Sequence, residues 1–501
     1  IAGVINIITK KGVGKPRFSL STEAGSFSTF NNSAGVSGGG EWINYSLNLS
    51  RFITDGISAA KESDGNIEKD GYASTSLSAR MGITPYKNSG IDVILRYLDT
   101  SANIDNFGGT GGDDPNNVQD SEQLYVRAEA RFLSVKNLWE QKFGFSLTDL
   151  NRSTKNDFDA AHPNDMLRDS YDGTMFKFDW QNNIYLNVNN TLTFGMETEE
   201  EKASSEFYSK GIYGPFTSIF EEHSARTNGY YVQNQMKIRG SIFVTAGLRI
   251  DANSKFGTET TYRIAPAFLL NRTGTKIKAT YGTGFKSPSL FQLYSQYGNE
   301  ELSPEKSRAW DIGLEQYLLG EKAGFGITYF HSDFGNLIDY DFGTSTYKNL
   351  AEVESGGVEL SAFAQNMFGF DLHANYTYTS TKEKTTGEAL LRRPKNKIGL
   401  NLNYQISAIG RSASGGTERG NVNLEVITVG KREDIFIAPD FTTTRVNLDK
   451  YVLFNLAAAY DVTGNFQIFG RIDNLFDTKY EEILGYGIHG LSAYAGLKIR
   501  Y

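Results

Sequence analysis

Apolar and polar residues alternate with a period of two along nearly the whole chain. Between Ile43 and Phe52, the residues Ile43, Tyr45, Leu47 and Leu49 fall on one face, while Asn44, Ser46, Asn48 and Ser50 fall on the other. The pattern returns in Ile91, Val93, Leu95 and Tyr97 against Asp92 and Arg96, and at the end in Ala493, Ala495, Leu497, Ile499 and Tyr501 against Lys498 and Arg500. Successive side chains of a strand point to opposite faces, so this period predicts strands with one apolar and one polar side. We find no convincing amphipathic helix. No window reaches the ~18 consecutive apolar residues of a spanning helix, which leaves a spanning β-barrel as the membrane option.

The connections sort into two kinds that alternate. Tight turns such as Lys87-Asn88-Ser89-Gly90 and Thr463-Gly464-Asn465 contrast with long polar segments such as Ser101 to Ser121. A soluble sandwich has shorter strands and more uniform connections, whereas outer-membrane barrels have short turns at one end and long loops at the other. Dividing 501 residues by about 23 per strand with its share of loop predicts an all-β, antiparallel transmembrane barrel of roughly 22 strands. An open sheet edge in lipid would leave unpaired backbone groups costing several kcal/mol each, so the barrel must close. Its polar faces then line a wide interior, and Tyr and Phe near strand ends form interfacial girdles.

Composition narrows the chemistry. The chain has 28 Tyr and 33 Phe, 52 Gly against 10 Pro, no Cys and a net charge of -8. Strand-forming rings at this density exclude disorder. The absence of cysteine removes disulfides, zinc thiolates and thiol catalysis together, and the acidic balance excludes a general nucleic-acid binder. The opening IAGVINIITKKG is a strand-like run without a starting Met, so the chain is expected to begin inside a larger protein.

Several spaced motifs carry a family resemblance that covers the whole chain. The C-terminal RIDNLFDTKYEEILGYGIHGLSAYAGLKIRY, Arg471 to Tyr501, resembles the last two strands of TonB-dependent outer-membrane receptors, with Asn474, Leu475, Phe476, Asp477, Tyr480 and Tyr501 at the motif positions. GFKSPSLFQLY from Gly284, GNEELSPEKSRAWDIGLE from Gly298 and NGYYVQNQ from Asn228 agree with it. YFHSDFGNLIDYD, YKNLAEVESGGVELSA, LLRRPKNKIGLNLNY and VNLDKYVLFNLAAAY resemble the cobalamin receptors within that family. The resemblance implies a bacterial outer-membrane location, contact with lipid and lipopolysaccharide, and a barrel over residues 13–501. Residues 1–12 are then the end of a plug domain whose upstream part would engage the TonB complex. It implies uptake of a scarce extracellular nutrient, cobalamin or a related corrinoid, with an iron-siderophore receptor as the alternative. A plugless passive pore or a surface adhesion protein is the rival of another class.

Enzymatic motifs fail their context. Gly35-Val36-Ser37-Gly38-Gly39 matches G-x-S-x-G but runs from strand into tight turn rather than into a helix, and Gly282-Thr283-Gly284 opens no helix. No enzyme activity and no enzymatic cofactor are expected. His162, His223, His331, His373 and His489 show no metal-ligand spacing and read as surface or lumen residues. The acidic loops carry more. Asp105, Asp113, Asp114 and Asp120 in one glycine-rich segment, with Asp157, Asp159, Asp169 and Asp172 in the next, are the candidate calcium ligands, since Ca2+ takes several oxygens from flexible loops. The other reading is a simply acidic, solvated surface. Cobalamin receptors order comparable loops with calcium, which the resemblance extends to this segment without assigning ligands. Arg392, Arg393, Lys395 and Lys397 form a basic run, read either as a contact for lipopolysaccharide or another anion or as charge at the headgroup level.

Overall fold

The computed structural model describes residues 9–341, 343–407, 418–438 and 442–501. The alternating runs become 22 antiparallel strands in one sheet, from Gly14–Gly25 to Ser492–Arg500. Each strand pairs with its neighbour in the chain, and the first pairs with the last through Leu20↔Ile499, Thr22↔Leu497 and Ala24↔Ala495, closing the cylinder. Two further strands, Arg432–Ile437 and Thr443–Leu448, form a separate hairpin inside the connection that precedes Tyr451–Asp461.

Unshifted pairing carries the alternation from Ile43–Thr54 through to Val118–Ser134, while bulges interrupt the register in several other pairs. Leu47 faces Ala79, which faces Leu95, which faces Val126, all on the outer side. Leu49, Val93 and Phe145 remain exposed there, as side chains bathed by lipid must. Outward rings pair near the tight-turn end, Phe143 on Trp180 at 5.9 Å and Phe370 on Tyr404 at 4.7 Å. The inner side is polar and cross-linked: Arg80 pairs with Asp92 at 3.0 Å, and Arg127 with Asp179 at 2.9 Å and Glu129 at 3.0 Å. Asn183 and Tyr185 donate to buried Glu140 at 2.7 and 2.9 Å. Few apolar side chains are buried among the described residues, and Ala203, Phe220, Ala225 and Leu290 pack into one small cluster.

The connections at one end are two to five residues long where described, while at the other end seven loops run from 9 to 21 residues. Turns 84–88 and 462–465 lie at the first end and loop 104–117 at the second, as the alternation of connections requires. The alternation is looser than expected, because 26–28, 212–213, 254–256 and 342–345 are short connections at the long-loop end. Strands there rise far past the ~10 residues needed to cross a bilayer, reaching 25 in Gly214–Ile238. One helix, Leu290–Tyr294, departs from the expectation of none; Ser289 and Gln292 close a capping box on it, and five residues are too few to display a helical period. Residues 1–8 of the expected plug remnant lie outside the described residues. Of the rest, the Thr9 carbonyl accepts from Arg80 at 2.9 Å and the Lys10 carbonyl from Ser46 at 3.1 Å, both on the inner wall.

Three of the long loops are tied into a collar. Asp434, fully buried, accepts from Arg392 Nε at 2.9 Å, Ile435 N at 2.8 Å and Leu484 N at 2.9 Å, joining 384–395, 430–450 and 474–491. Arg392 of the basic run is therefore spent on a protein carboxylate. The family motif supports the same collar: the Asn474 side chain accepts from Thr478 N at 2.8 Å, and Asp477 accepts from Leu491 N at 2.9 Å.

Two predictions follow from this geometry. Because the chain has no cysteine, Thr110→Cys and Gly464→Cys report the two ends cleanly; an impermeant thiol reagent on intact cells should label the first and spare the second, and the reverse pattern would invert the orientation. Burial alone would raise the Asp434 carboxyl, but the Leu484 and Ile435 amides and Arg392 hold it below the usual range. A depressed carboxyl stabilises above its unfolded pKa and loses that contribution as pH falls through the folded value. Loops 384–395 and 474–491 should accordingly become protease-sensitive below about pH 4. Asp434→Ala should do the same at neutral pH, at a cost of about 1–3 kcal/mol for each buried donor left unpaired.

Candidate functional site

The collar continues across the barrel seam into an acidic cluster. Gly109 N donates to Gly485 O at 2.8 Å, Gly487 N donates to Ala59 O at 2.8 Å, and Ala60 bridges Tyr486, so loops 55–71, 104–117 and 474–491 are laced together. The approach needs glycine: a Cβ on Gly108 would lie 2.5 Å from the Tyr486 ring, and Gly485 sits at φ +80.

Within this frame loop 55–71 wraps two aspartates of the next loop. Asp105 accepts from Ala60 N at 2.5 Å and Ser58 Oγ at 3.1 Å. Asp113 accepts from Ile67 N at 2.7 Å, Glu68 N at 3.1 Å and Ser58 Oγ at 2.9 Å. Glu68 and Asp70 are drawn in beside them, and the charges acting most strongly on Glu68 are all carboxylates. Its carboxyl is pushed up to about 7, first by burial and then by Asp70, Asp105, Asp113 and Asp114. Asp70 is likewise pushed up to about 7 by burial, against the lowering hydrogen bond from Ala59, with Asp105 and Asp113 raising it further. Asp114, with no exposed surface, accepts through one oxygen from Asn106 at 2.6 Å and Asn156 at 2.7 Å.

Buried oxygens here lack donors. Glu68 Oε2, Asp70 Oδ1, Asp114 Oδ1, Asn116 Oδ1, Asn117 Oδ1 and Asn156 Oδ1 are enclosed without a hydrogen-bond partner. Buried polar groups are ordinarily satisfied, and a set of orphans that are all acceptors fits a cation better than any donor side chain.

Of the eight expected ligands, the fold brings Asp105, Asp113 and Asp114 together and places Asp159 nearby. Asp157 is neutralised by Arg168 and Lys155, and Arg168 holds its carboxyl below the usual range. Asp120, Asp169 and Asp172 sit on strands rather than loop tips: Asp120 is exposed, Asp172 accepts from Asn151 at 2.9 Å, and Asp169 lines a cavity on the inner wall. Strand pairing fixes each of them to one face, which prevents convergence on the loops. Glu68, Asp70 and His162 were not anticipated. The run Glu62, Asp64, Glu68, Asp70 was visible, but Lys61 and Lys69 interleave it as in an ordinary solvated loop.

A second feature faces the lumen at the same end. The helix Leu290–Tyr294 folds inward onto Ala203, Phe220 and Ala225, leaving a cavity of 260 Å³ lined by Arg152, Asp169, Tyr171, Phe207, Phe291 and Tyr297. The Arg152 guanidinium lies 5.6 Å from the Tyr171 ring centre. Behind it His223 is stacked between Tyr294 at 4.2 Å and Phe220 at 5.5 Å. Aromatic walls with one cation, Arg152, and two carboxylates, Asp169 and Glu206, suit one flat, polar-edged part of a ligand.

The comparisons agree with this architecture. Residues 55–475 match the model of the TonB dependent receptor-like β-barrel. The vitamin B12 transporter BtuB of Photobacterium profundum is 27% identical over 517 aligned positions, covering 99% of this chain and 76% of that protein. The ferripyoverdine receptor of Pseudomonas aeruginosa superimposes with a TM-score of 0.80 at 14% identity, over 98% of this chain and 72% of that one. The ferric yersiniabactin uptake receptor FyuA of Yersinia pestis gives 0.80 at 14%, over 100% and 82%. With a closed 22-stranded wall, a polar lumen and a family match over most of its length, the chain belongs to the TonB-dependent receptors, the β-barrel transporters of the bacterial outer membrane.

Proposed function

We propose that this barrel admits a corrinoid, cobalamin or a close relative, captured at the long-loop end. The observation that carries the reading is the 27% identity to a vitamin B12 transporter across 99% of the chain, because relatives of siderophore receptors resemble it in fold at 14–17%. The inward aromatic cavity at Arg152 and Tyr171 is the part of the wall suited to meet such a ligand. Residues 1–12 are read as the end of a plug that supplies the floor and, through its upstream part, the link to the TonB complex. Outer-membrane lipid and lipopolysaccharide surround the outward face. A siderophore receptor is the second reading, favoured by the superposition on the ferripyoverdine receptor.

Glu68, Asp70, Asp105 and Asp113 are the ligands we propose for calcium. Their mutual repulsion, with orphan oxygens on Glu68 and Asp70, is costly, and one hard dication would offset it. The ion thereby pre-orders two loops and, through Gly485 and Gly487, a third. Pre-ordering favours tight binding, because immobilising each loop side chain on capture costs about 0.5–1.5 kcal/mol.

Two measurements check these readings. Calorimetry of the receptor with its plug, in calcium, should show tight binding of cyanocobalamin; tight binding of a ferric siderophore with no corrinoid binding would replace the substrate and leave the transporter class intact. At calcium one hundred times its Kd, protease cleavage within 55–71 and 104–117 should slow about a hundredfold relative to chelator, equivalent to about 2.7 kcal/mol. Asp113→Asn should lose most of that protection, and equal rates with and without calcium would remove the ion from the account.

A further inference from the structure

We propose that Asp114, Asp159 and His162 form a second cation site, selective for a divalent transition ion of the Zn2+ type, which fastens loop 157–165 to loop 104–117. The inference goes beyond the corrinoid and calcium readings and depends on neither.

Three ligand atoms from these residues lie within 4.8 Å of one another. His162 Nδ1 is 3.4 Å from Asp159 Oδ1 and 3.9 Å from Asp114 Oδ1. Ligands about 2.1 Å from a tetrahedral Zn2+ stand about 3.4 Å apart, so the two separations to His162 come within about half an ångström of that spacing and the two carboxylates, within 4.8 Å of each other, would draw together around an ion. An ordinary His–Asp pair would account for Asp159 alone. It leaves Asp114 Oδ1 fully buried, beyond hydrogen-bond reach of the imidazole and without any donor. That orphan oxygen is the independent sign that something positive belongs between the three.

The donor set decides the kind of ion. Calcium prefers an all-oxygen shell of six to eight ligands, whereas imidazole suits Zn2+, Cu2+ and Ni2+. The side chains are also held ready for it. Asn106 and Asn156 fix the other oxygen of Asp114 at 2.6 and 2.7 Å, while the backbone N of His162 donates to Asp159 at 2.6 Å. Orienting bonds of this sort lock ligand geometry around a metal. Asp157, paired with Arg168, is left out of the shell. Loop 157–165 joins the two strands that carry Arg152 and Asp169, so an ion at its base would steady one rim of the aromatic cavity.

The test uses the purified full chain in detergent, saturated with calcium and titrated with Co2+ as a visible probe. One equivalent should give the intense d–d absorption of a low-coordinate site with an imidazole ligand, displaced by Zn2+ but not by further Ca2+. His162→Gln and, independently, Asp159→Asn should abolish that absorption while keeping the heat-modifiable gel mobility of a folded barrel and the calcium-dependent protease protection. Asp113→Asn should show the converse, losing calcium protection and keeping the cobalt spectrum. No absorption at millimolar cobalt, an unchanged spectrum in both folded variants, or displacement by calcium would overturn the proposal; the last result would make the cluster part of one calcium site.

Discussion

The backbone's need for hydrogen-bond partners in lipid governs this molecule. Every amide and carbonyl at membrane depth must be paired within the protein, since each unpaired group would cost several kcal/mol. A sheet meets that requirement only when it has no edge. The pairing of Gly14–Gly25 with Ser492–Arg500 is therefore what permits the other strands to exist in a membrane, and it joins residues nearly 480 apart in sequence (Leu20 to Ile499). Closure also reverses the usual burial rule: apolar side chains such as Leu49 and Phe145 face outward, and the fully buried larger side chains are polar, among them Asn66, Asp114, Asn156 and Asp434.

A wide cylinder leaves its interior to be filled by something other than a hydrophobic core. The wall answers with cross-strand ion pairs such as Arg127 with Asp179 and with the hydrogen bonds converging on Glu140. These groups satisfy one another at the wall and keep their remaining surface toward water or an inserted segment, as the contacts to Thr9 and Lys10 illustrate. The long-loop end uses the same device at closer quarters. Asp434 binds three loops through one carboxylate, and Asp105 with Asp113 gathers a fourth and a fifth.

The two ends of this collar differ in electrostatic character. Around Asp434 the carboxylates of Asp434, Glu433 and Glu388 are met by Arg392, Arg445 and backbone amides. Around Glu68 and Asp70 acidic groups accumulate and several buried acceptors stay empty. Such an imbalance is unfavourable unless a cation offsets it. Loop order at this end thus rests on paired protein charges on one side and meets crowded carboxylates on the other.

Much of this was legible before any coordinates. Period-two alternation, the contrast of turns and loops, and the strand count follow from local chemistry, because lipid on one side and water on the other impose a rule on each residue in turn. The NLFD motif and its neighbours point to the family for a similar reason: the Asn474 and Asp477 side chains act within the one connection, 474–491, to which they belong. The acidic cluster was only half visible. Asp105, Asp113 and Asp114 stood out as a local run, whereas Glu68 and Asp70 come from the preceding loop and His162 from the following one, and only barrel curvature brings the three loop tips together. Asp120, Asp169 and Asp172 looked equivalent in sequence and were removed by strand register, which fixes their faces. Sequence alone determined the barrel, since that depends on which side of a strand each residue takes; tertiary structure decided the site, since that depends on which loops meet above it.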